Sequence, residues 1–127
     1  RSDRLKVQVV RSDTEGIEMK FVPQNIAIIL DNVVSNSTKY NANELRVLLG
    51  KDEKQYTIDF IDDGDGVSSD IADLNELFEF GKGYTLTGTG VGLYHIKDIV
   101  EKDLQGTVTI ESEPQKGFAL HVRFGKV

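Results

Sequence analysis

Apolar and polar positions follow two periods along the chain, and the changes of period divide it into elements. Leu5, Val7 and Val9 alternate with Lys6 and Gln8, the pattern of a half-buried strand. Asp13-Thr14-Glu15-Gly16 has the composition of a turn, and Ile17–Phe21 reads as a short second strand. From Pro23 the period becomes helical: Ile26, Ile29, Leu30, Val33 and Val34 form one apolar face, with Pro23 suited to the first turn. The helix is predicted to reach about Lys39, where Asn41-Ala42-Asn43 breaks it. Glu44–Lys51 and Gln55–Asp62 read as a hairpin turning at Lys51-Asp52-Glu53-Lys54, with Tyr56, Ile58 and Phe60 on one face.

Beyond the hairpin, Ser68–Ile71 and Leu74–Phe78 are predicted to be short helical turns, and Gly81–Thr87 a flexible segment. A helix follows Gly92 to about Asp103. Leu93, Ile96, Ile99, Val100 and Leu104 share its inner face; His95, Asp98 and Lys102 lie away from it. Two strands close the chain. Thr107–Ser112 turns Val108 and Ile110 inward, and Gly117–Phe124 alternates Phe118, Leu120, Val122 and Phe124 with Ala119, His121 and Arg123. Both histidines therefore fall on polar faces and are expected at the surface.

Composition narrows the possibilities. A chain of 127 residues, 39% hydrophobic and 28% charged, is expected to form a single domain, residues 1–127, with one core. Its net charge of −6 argues against a general nucleic-acid binder, and any nucleotide must be held by a local site. No cysteine is present, so disulfides and thiolate metal sites are excluded and a cytoplasmic setting is compatible. No apolar run approaches the ~18 residues of a membrane helix, and no signal peptide is expected in this stretch. The chain starts at Arg1 without an initiator methionine and enters a strand almost at once, so it is expected to be a piece of a longer protein.

Three stretches carry candidate chemistry. On the first helix, Asn32, Asn36, Lys39 and Tyr40 form a stripe along one edge of the apolar face. An amide oxygen can ligate a hard cation such as Mg²⁺, a lysine can meet a phosphate and a tyrosine can pack on a sugar or base. A solvent-facing polar edge fits this stretch equally well. The second stretch, Asp62-Asp63-Gly64-Asp65-Gly66-Val67, is a D-x-G-x-G turn at a strand end. It reads either as a plain acidic turn or as a site where glycines admit a flat ligand and Asp62 accepts its hydrogen bonds. EF-hand spacing is absent. The third, Gly88-Thr89-Gly90-Val91-Gly92-Leu93, opens a helix and could aim backbone amides at an anion. It matches neither a dinucleotide fingerprint nor a P-loop, and alone it is a weak signal.

Taken in order, an asparagine-bearing helix, D-x-G-x-G, Phe78-Glu79-Phe80 and G-x-G-x-G resemble the ATP-binding module of sensor histidine kinases. The same module occurs in type II topoisomerases, the 90-kDa heat-shock chaperone and mismatch-repair proteins. The resemblance spans nearly the whole chain. It implies an α/β (α+β) two-layer sandwich: a mixed, largely antiparallel sheet with helices on one face and ATP under a flexible lid. It further implies Asn36 as Mg²⁺ ligand, Lys39 as phosphate contact, Tyr40 as nucleoside contact and Asp62 as acceptor of the adenine amine. Gly64 and Gly66 would form the turn under the base. Gly88, Thr89, Gly90, Val91, Gly92 and Leu93 would form the phosphate loop, with Lys82 in the preceding lid as a further phosphate candidate.

One position separates the branches of that superfamily. Hydrolytic members carry a glutamate four residues before the Mg²⁺-binding asparagine; here that residue is Asn32, and a neutral amide cannot act as a general base near pH 7. Asn32, Asn36, Lys39 and Tyr40 therefore resemble the histidine-kinase branch. That branch implies transfer of the γ-phosphate to a histidine on a separate helical phosphoacceptor domain of the same or a partner chain. It also implies a response regulator downstream, a homodimer formed through other segments, and a cytoplasmic domain whose parent can be membrane-anchored. Neither His95 nor His121 has the His-[Glu/Asp]-x-x-x-Pro context of such an acceptor. Two alternatives remain: a protein-serine kinase of the same superfamily, and an ATP-gated interaction module without phosphotransfer. Two departures stand out. Gly117-Phe118 replaces a frequent Gly-Thr, and the lid is short, running only from Gly81 to Thr87.

Overall fold

A computed structural model describes residues 5–11, 23–67, 73–79 and 92–125. Strand β1 (Lys6–Arg11) precedes helix α1 (Pro23–Lys39), and β2 (Glu44–Lys51) and β3 (Gln55–Asp62) form the central hairpin. A 3₁₀ turn at Leu74–Phe78 comes before α2 (Gly92–Asp98), which continues as a π-helical turn, Ile99–Asp103. Strands β4 (Thr107–Ser112) and β5 (Phe118–Gly125) end the chain. The expected strand at Ile17–Phe21, its preceding turn, the helical turn at Ser68–Ile71 and the Gly81–Thr87 segment lie outside the described residues.

The five strands form one mixed sheet in the order β1-β2-β3-β5-β4. β1 runs parallel to β2, and the other pairs are antiparallel. Register follows the period-two pattern closely. Phe60 stands between Val47 and Leu120, and Ile58 pairs with Val122, so all of these project to one face. Ile29 and Val33 of α1 and Ile96, Ile99 and Val100 of the second helix pack on that face, with Leu77 and Phe78 joining them. The result is the two-layer arrangement that the resemblance implied. Leu120 and Ile96 are fully buried, and truncating such a residue to alanine costs about 2–5 kcal/mol.

Four details depart from the sequence reading. Val7 and Val9 are 45% and 61% exposed although they pair in register with buried Leu45 and Val47, because β1 is the outer strand of the sheet. Leu30 is half-exposed at the border of α1's apolar face. The second helix does not stay α-helical to Asp103: Leu104 N–H donates to the Ile99 carbonyl, a five-residue step that defines the π turn. His95 is exposed, as expected. His121 lies on the sheet's open face but is largely covered, its ring nitrogens 2.6 Å from Asp59 and 2.7 Å from Glu111. Arg123 also donates to Asp59, at 2.9 Å. Among the described residues no helix is long and apolar enough to cross a membrane.

The end of α1 is locked by short-range chemistry. Asn41 takes a left-handed conformation (φ 64°), and Ala42 N–H reaches back to the Ser37 carbonyl at 3.0 Å. Asp63 then caps the start of β2: its Oδ1 accepts from the N–H groups of Asn43 (2.8 Å) and Glu44 (3.0 Å). Those backbone hydrogen bonds, that from Glu44 foremost, hold the Asp63 carboxyl below its usual range. A depressed folded-state pKa stabilises the fold above the unfolded value and loses that contribution as pH falls through the folded one. Asp63→Ala is therefore expected to lose roughly 0.5–1 kcal/mol at neutral pH, small because the group is exposed. Urea denaturation of both proteins should show the difference shrinking once the pH drops below the ordinary carboxylate range. A difference independent of pH would rule out the capping role.

Candidate functional site

Asp62 is the last residue of β3, and strand alternation puts it on the core face with Ile58 and Phe60. Its carboxylate is consequently buried, with 7% of the residue exposed. Such a group needs donors, and a side-chain hydroxyl and backbone N–H groups, that of Phe118 among them, supply them. Ser37 Oγ of α1 donates to Oδ2 at 2.7 Å, and Gly64 N–H donates to Oδ1 at 2.9 Å. Burial pushes the Asp62 carboxyl above its usual range, and the neighbouring Asp63 charge adds to this; the hydrogen bonds from Ser37 and Gly64 pull it back.

On α1, Ile29, Val33 and Ser37 recur every fourth residue and are all buried. Asn32 and Asn36 each precede one of these by a residue, about 100° around the helix. They form the edge adjoining the core line. Asn32 Nδ2 donates to the Ile28 carbonyl at 3.0 Å. Its Oδ1 lies 3.1 Å from where a side-chain carbon on Gly92 would sit, so the first residue of α2 closes directly on this edge. One turn along, Asn36 is half-buried, and its amide has no hydrogen-bond partner among the described residues. Lys39 is half-buried with no acidic partner among them. Tyr40 follows at the helix end, half-buried, and burial raises its phenol pKa.

The turn after β3 joins three parts of the fold. Asp65 N–H donates to the Tyr40 carbonyl at 2.8 Å, and Asn41 Nδ2 donates to Asp65 Oδ2 at 2.7 Å. A Cβ on Gly64 would come within 2.6 Å of that same carbonyl, so only glycine lets the turn lie against the end of α1. Gly66 has φ +73° and abuts the backbone of the β4–β5 turn. Ser112 completes the joint: its Oγ accepts from Val67 N–H at 3.1 Å and donates to the Gly117 carbonyl at 2.6 Å.

Of the residues singled out by sequence, the structure gathers Tyr40, Asp62, Gly64 and Gly66 around one turn. It brings Asn32 against Gly92, with Leu93 half-buried next to it. Lys82, Gly88, Thr89, Gly90 and Val91 lie outside the described residues. Two residues at the site escaped the sequence reading: Ser37 and Ser112. Ser37 had a visible signal, a hydroxyl on the apolar line of an amphipathic helix that must find a partner once buried. An open groove of about 580 Å³ also borders Asp62, lined by Leu74, Ile110, Ser112, Lys116 and Phe118 among others. None of the α1 residues lines it, so it is a separate feature from the α1 edge.

The donor set near Asn36 suits Mg²⁺ bound together with a phosphate chain. That ion keeps several waters and accepts one or two protein oxygens, and Asn36 offers one amide oxygen with no partner among the described residues. No group of three or more His, Cys, Asp or Glu residues forms a metal cage among the described residues.

Comparison with known proteins agrees with this fold. Residues 21–126 match the model of the family described as histidine kinase-, DNA gyrase B- and HSP90-like ATPases. Solved structures of the catalytic domain of histidine kinase ThkA superpose on the chain in nucleotide-free crystal forms. One has a TM-score of 0.75 at 17% identity, covering 96% of this chain and 80% of the other. A second form gives 0.76 at 17% identity, covering 96% and 79%. No curated protein sequence matches. With the family model spanning most of the chain, the chain belongs to the histidine kinase-, DNA gyrase B- and HSP90-like ATPase family.

Proposed function

We propose that this chain is the ATP-binding catalytic domain of a protein-histidine kinase. It would bind Mg·ATP and pass the γ-phosphate to a histidine on a separate phosphoacceptor domain of the same or a partner chain. A response regulator would then take the phosphate, and the full-length protein would work as a dimer with this domain in the cytoplasm. The observation that carries the reading is the pairing of a buried Asp62 with an α1 edge whose Asn36 and Lys39 have no protein partner among the described residues. One end of that arrangement suits a base and the other a phosphate chain.

In this reading Asp62 accepts a hydrogen bond from the adenine amine. Guanine presents an oxygen at that position, so two acceptors would face each other. Tyr40 packs against the nucleoside, and the turn at Gly64 and Gly66 lies under the base. Lys39 and Lys82 meet phosphate oxygens, as do the backbone amides from Gly88 to Leu93. Mg²⁺ on Asn36 would supply charge neutralisation across the phosphates. The protein's contribution is positioning and electrostatics, which is what phosphoryl transfer chiefly requires. The bond from the γ-phosphorus to the bridging oxygen breaks, ADP leaves, and a phosphorus–nitrogen bond forms on the acceptor imidazole. Asn32 supports the kinase branch: its amide N–H is committed to the Ile28 carbonyl, and it offers no base to a water molecule.

Two measurements bear on this. If Asn36 ligates the metal, Asn36→Ala should weaken Mg·ATP binding at least tenfold by calorimetry and leave adenosine, which needs no metal, within about twofold. Equal losses for both ligands, with an unchanged circular dichroism spectrum, would remove the metal role. The second measurement is turnover. A positioned general base is worth ~10²–10⁴-fold, and with Asn32 in place the isolated domain should bind ATP yet release phosphate very slowly. Supplying a helical hairpin that bears the acceptor histidine should yield an acid-labile phosphoramidate. Brisk hydrolysis by these residues alone would place the chain in the hydrolytic branch.

A further inference from the structure

Ser37 spends its hydroxyl in an unusual way. A serine within a helix ordinarily donates to the carbonyl four residues back on its own helix. Here Oγ instead crosses to β3 and donates to Asp62 Oδ2 at 2.7 Å, with Ser37 only 1% exposed. Packing alone does not call for that oxygen, since Ser37 continues the line of Ile29 and Val33, where an apolar residue would serve. A hydroxyl placed there is costly unless it is hydrogen-bonded, and its partner is the one buried carboxylate among the described residues.

The consequence is geometric. Gly64 N–H holds Oδ1 at 2.9 Å while Ser37 holds Oδ2, so the carboxylate is fixed at both oxygens by donors from two elements. A carboxylate held at both ends cannot rotate, and its remaining lone pairs point in set directions. Without Ser37 only backbone N–H groups, those of Gly64 and Phe118, would orient it.

We propose that Ser37 is a positioning and specificity-determining residue: it locks the Asp62 carboxylate so that its free lone pairs meet the 6-amino group of the purine. The inference rests on the ATP reading above. It adds that base discrimination depends on an α1 hydroxyl as well as on the aspartate. Ser37 acts through Asp62 and touches no reacting atom.

The test compares adenosine with purine riboside, which is the same nucleoside without the 6-amino group. In calorimetric titrations the wild-type protein should favour adenosine by tenfold or more. Ser37→Ala should cut that preference roughly five- to tenfold, chiefly by weakening adenosine, while purine riboside binds as before. Ser37→Thr, which keeps the hydroxyl, should restore the preference; Ser37→Cys, similar in size but a poor donor, should behave like the alanine variant. A structural role alone would weaken both nucleosides together and leave the preference intact, and that result overturns the proposal. Should the alanine variant fail to fold, the cysteine and threonine variants decide the same question. Wild-type protein that binds neither nucleoside would instead refute the ATP reading itself. Wild-type protein that binds both equally would remove Asp62 as the base reader, and Ser37's role with it.

Discussion

Everything at this site hangs on how closely the turn after β3 approaches the C-terminal end of α1. Gly64 lies where any side chain would strike the Tyr40 carbonyl, and Asp65 N–H uses that same carbonyl as its acceptor. The approach brings Ser37 within hydrogen-bonding reach of Asp62. It also puts Asp63 over the backbone N–H groups that open β2. A larger residue at Gly64 would push helix and sheet apart and uncouple all three contacts. The tight joint thus converts a strand-end aspartate, common enough in turns, into a buried and oriented acceptor.

The second constraint is the meeting of α1 with α2. Gly92 lets the start of α2 close on Asn32, so the edge that carries Asn32 and Asn36 runs from that contact toward the Asp62 turn. On the proposed reading, a nucleotide laid along this edge would span from the Asp62 carboxylate to an amide oxygen and a lysine, matching the polarity of ATP from adenine to phosphates. The net charge of −6 makes this local arrangement necessary, since the protein's overall field opposes an anionic ligand.

Much of this was legible from the chain because the informative patterns are periodic. Strand β5 buries Phe118, Leu120, Val122 and Phe124 in strict alternation, as its period of two requires. Helix α1 ends where Asn41 can adopt a left-handed conformation. What escaped the sequence is what only neighbours decide. Val7 and Val9 read as half-buried but are exposed by the outer position of β1, a property of sheet order. His121 read as a surface residue, yet its cross-strand partner Asp59 and the nearby Glu111 engage both of its ring nitrogens. Gly64 and Gly66 were read either as part of a plain acidic turn or as clearance for a flat ligand. In the described residues the clearance is already taken by the carbonyls of Tyr40 and of the β4–β5 turn. The π turn at Ile99–Asp103 leaves no trace in the apolar pattern, because its buried residues stay on the helix's inner face.

The most direct test of the central claim, that the Asp62 turn and the Asn32–Asn36 edge form one nucleotide site, is amide NMR of the isotope-labelled chain. A non-hydrolysable ATP analogue with Mg²⁺ would be titrated to saturation. Shifts should concentrate on Asp62 to Val67, on α1 from Asn32 to Tyr40, and on Gly92 and Leu93. The open face of the sheet at Asp59, His121 and Arg123 should stay unmoved. Shifts confined to that open face, or none at the Asp62 turn at saturating analogue, would contradict the account.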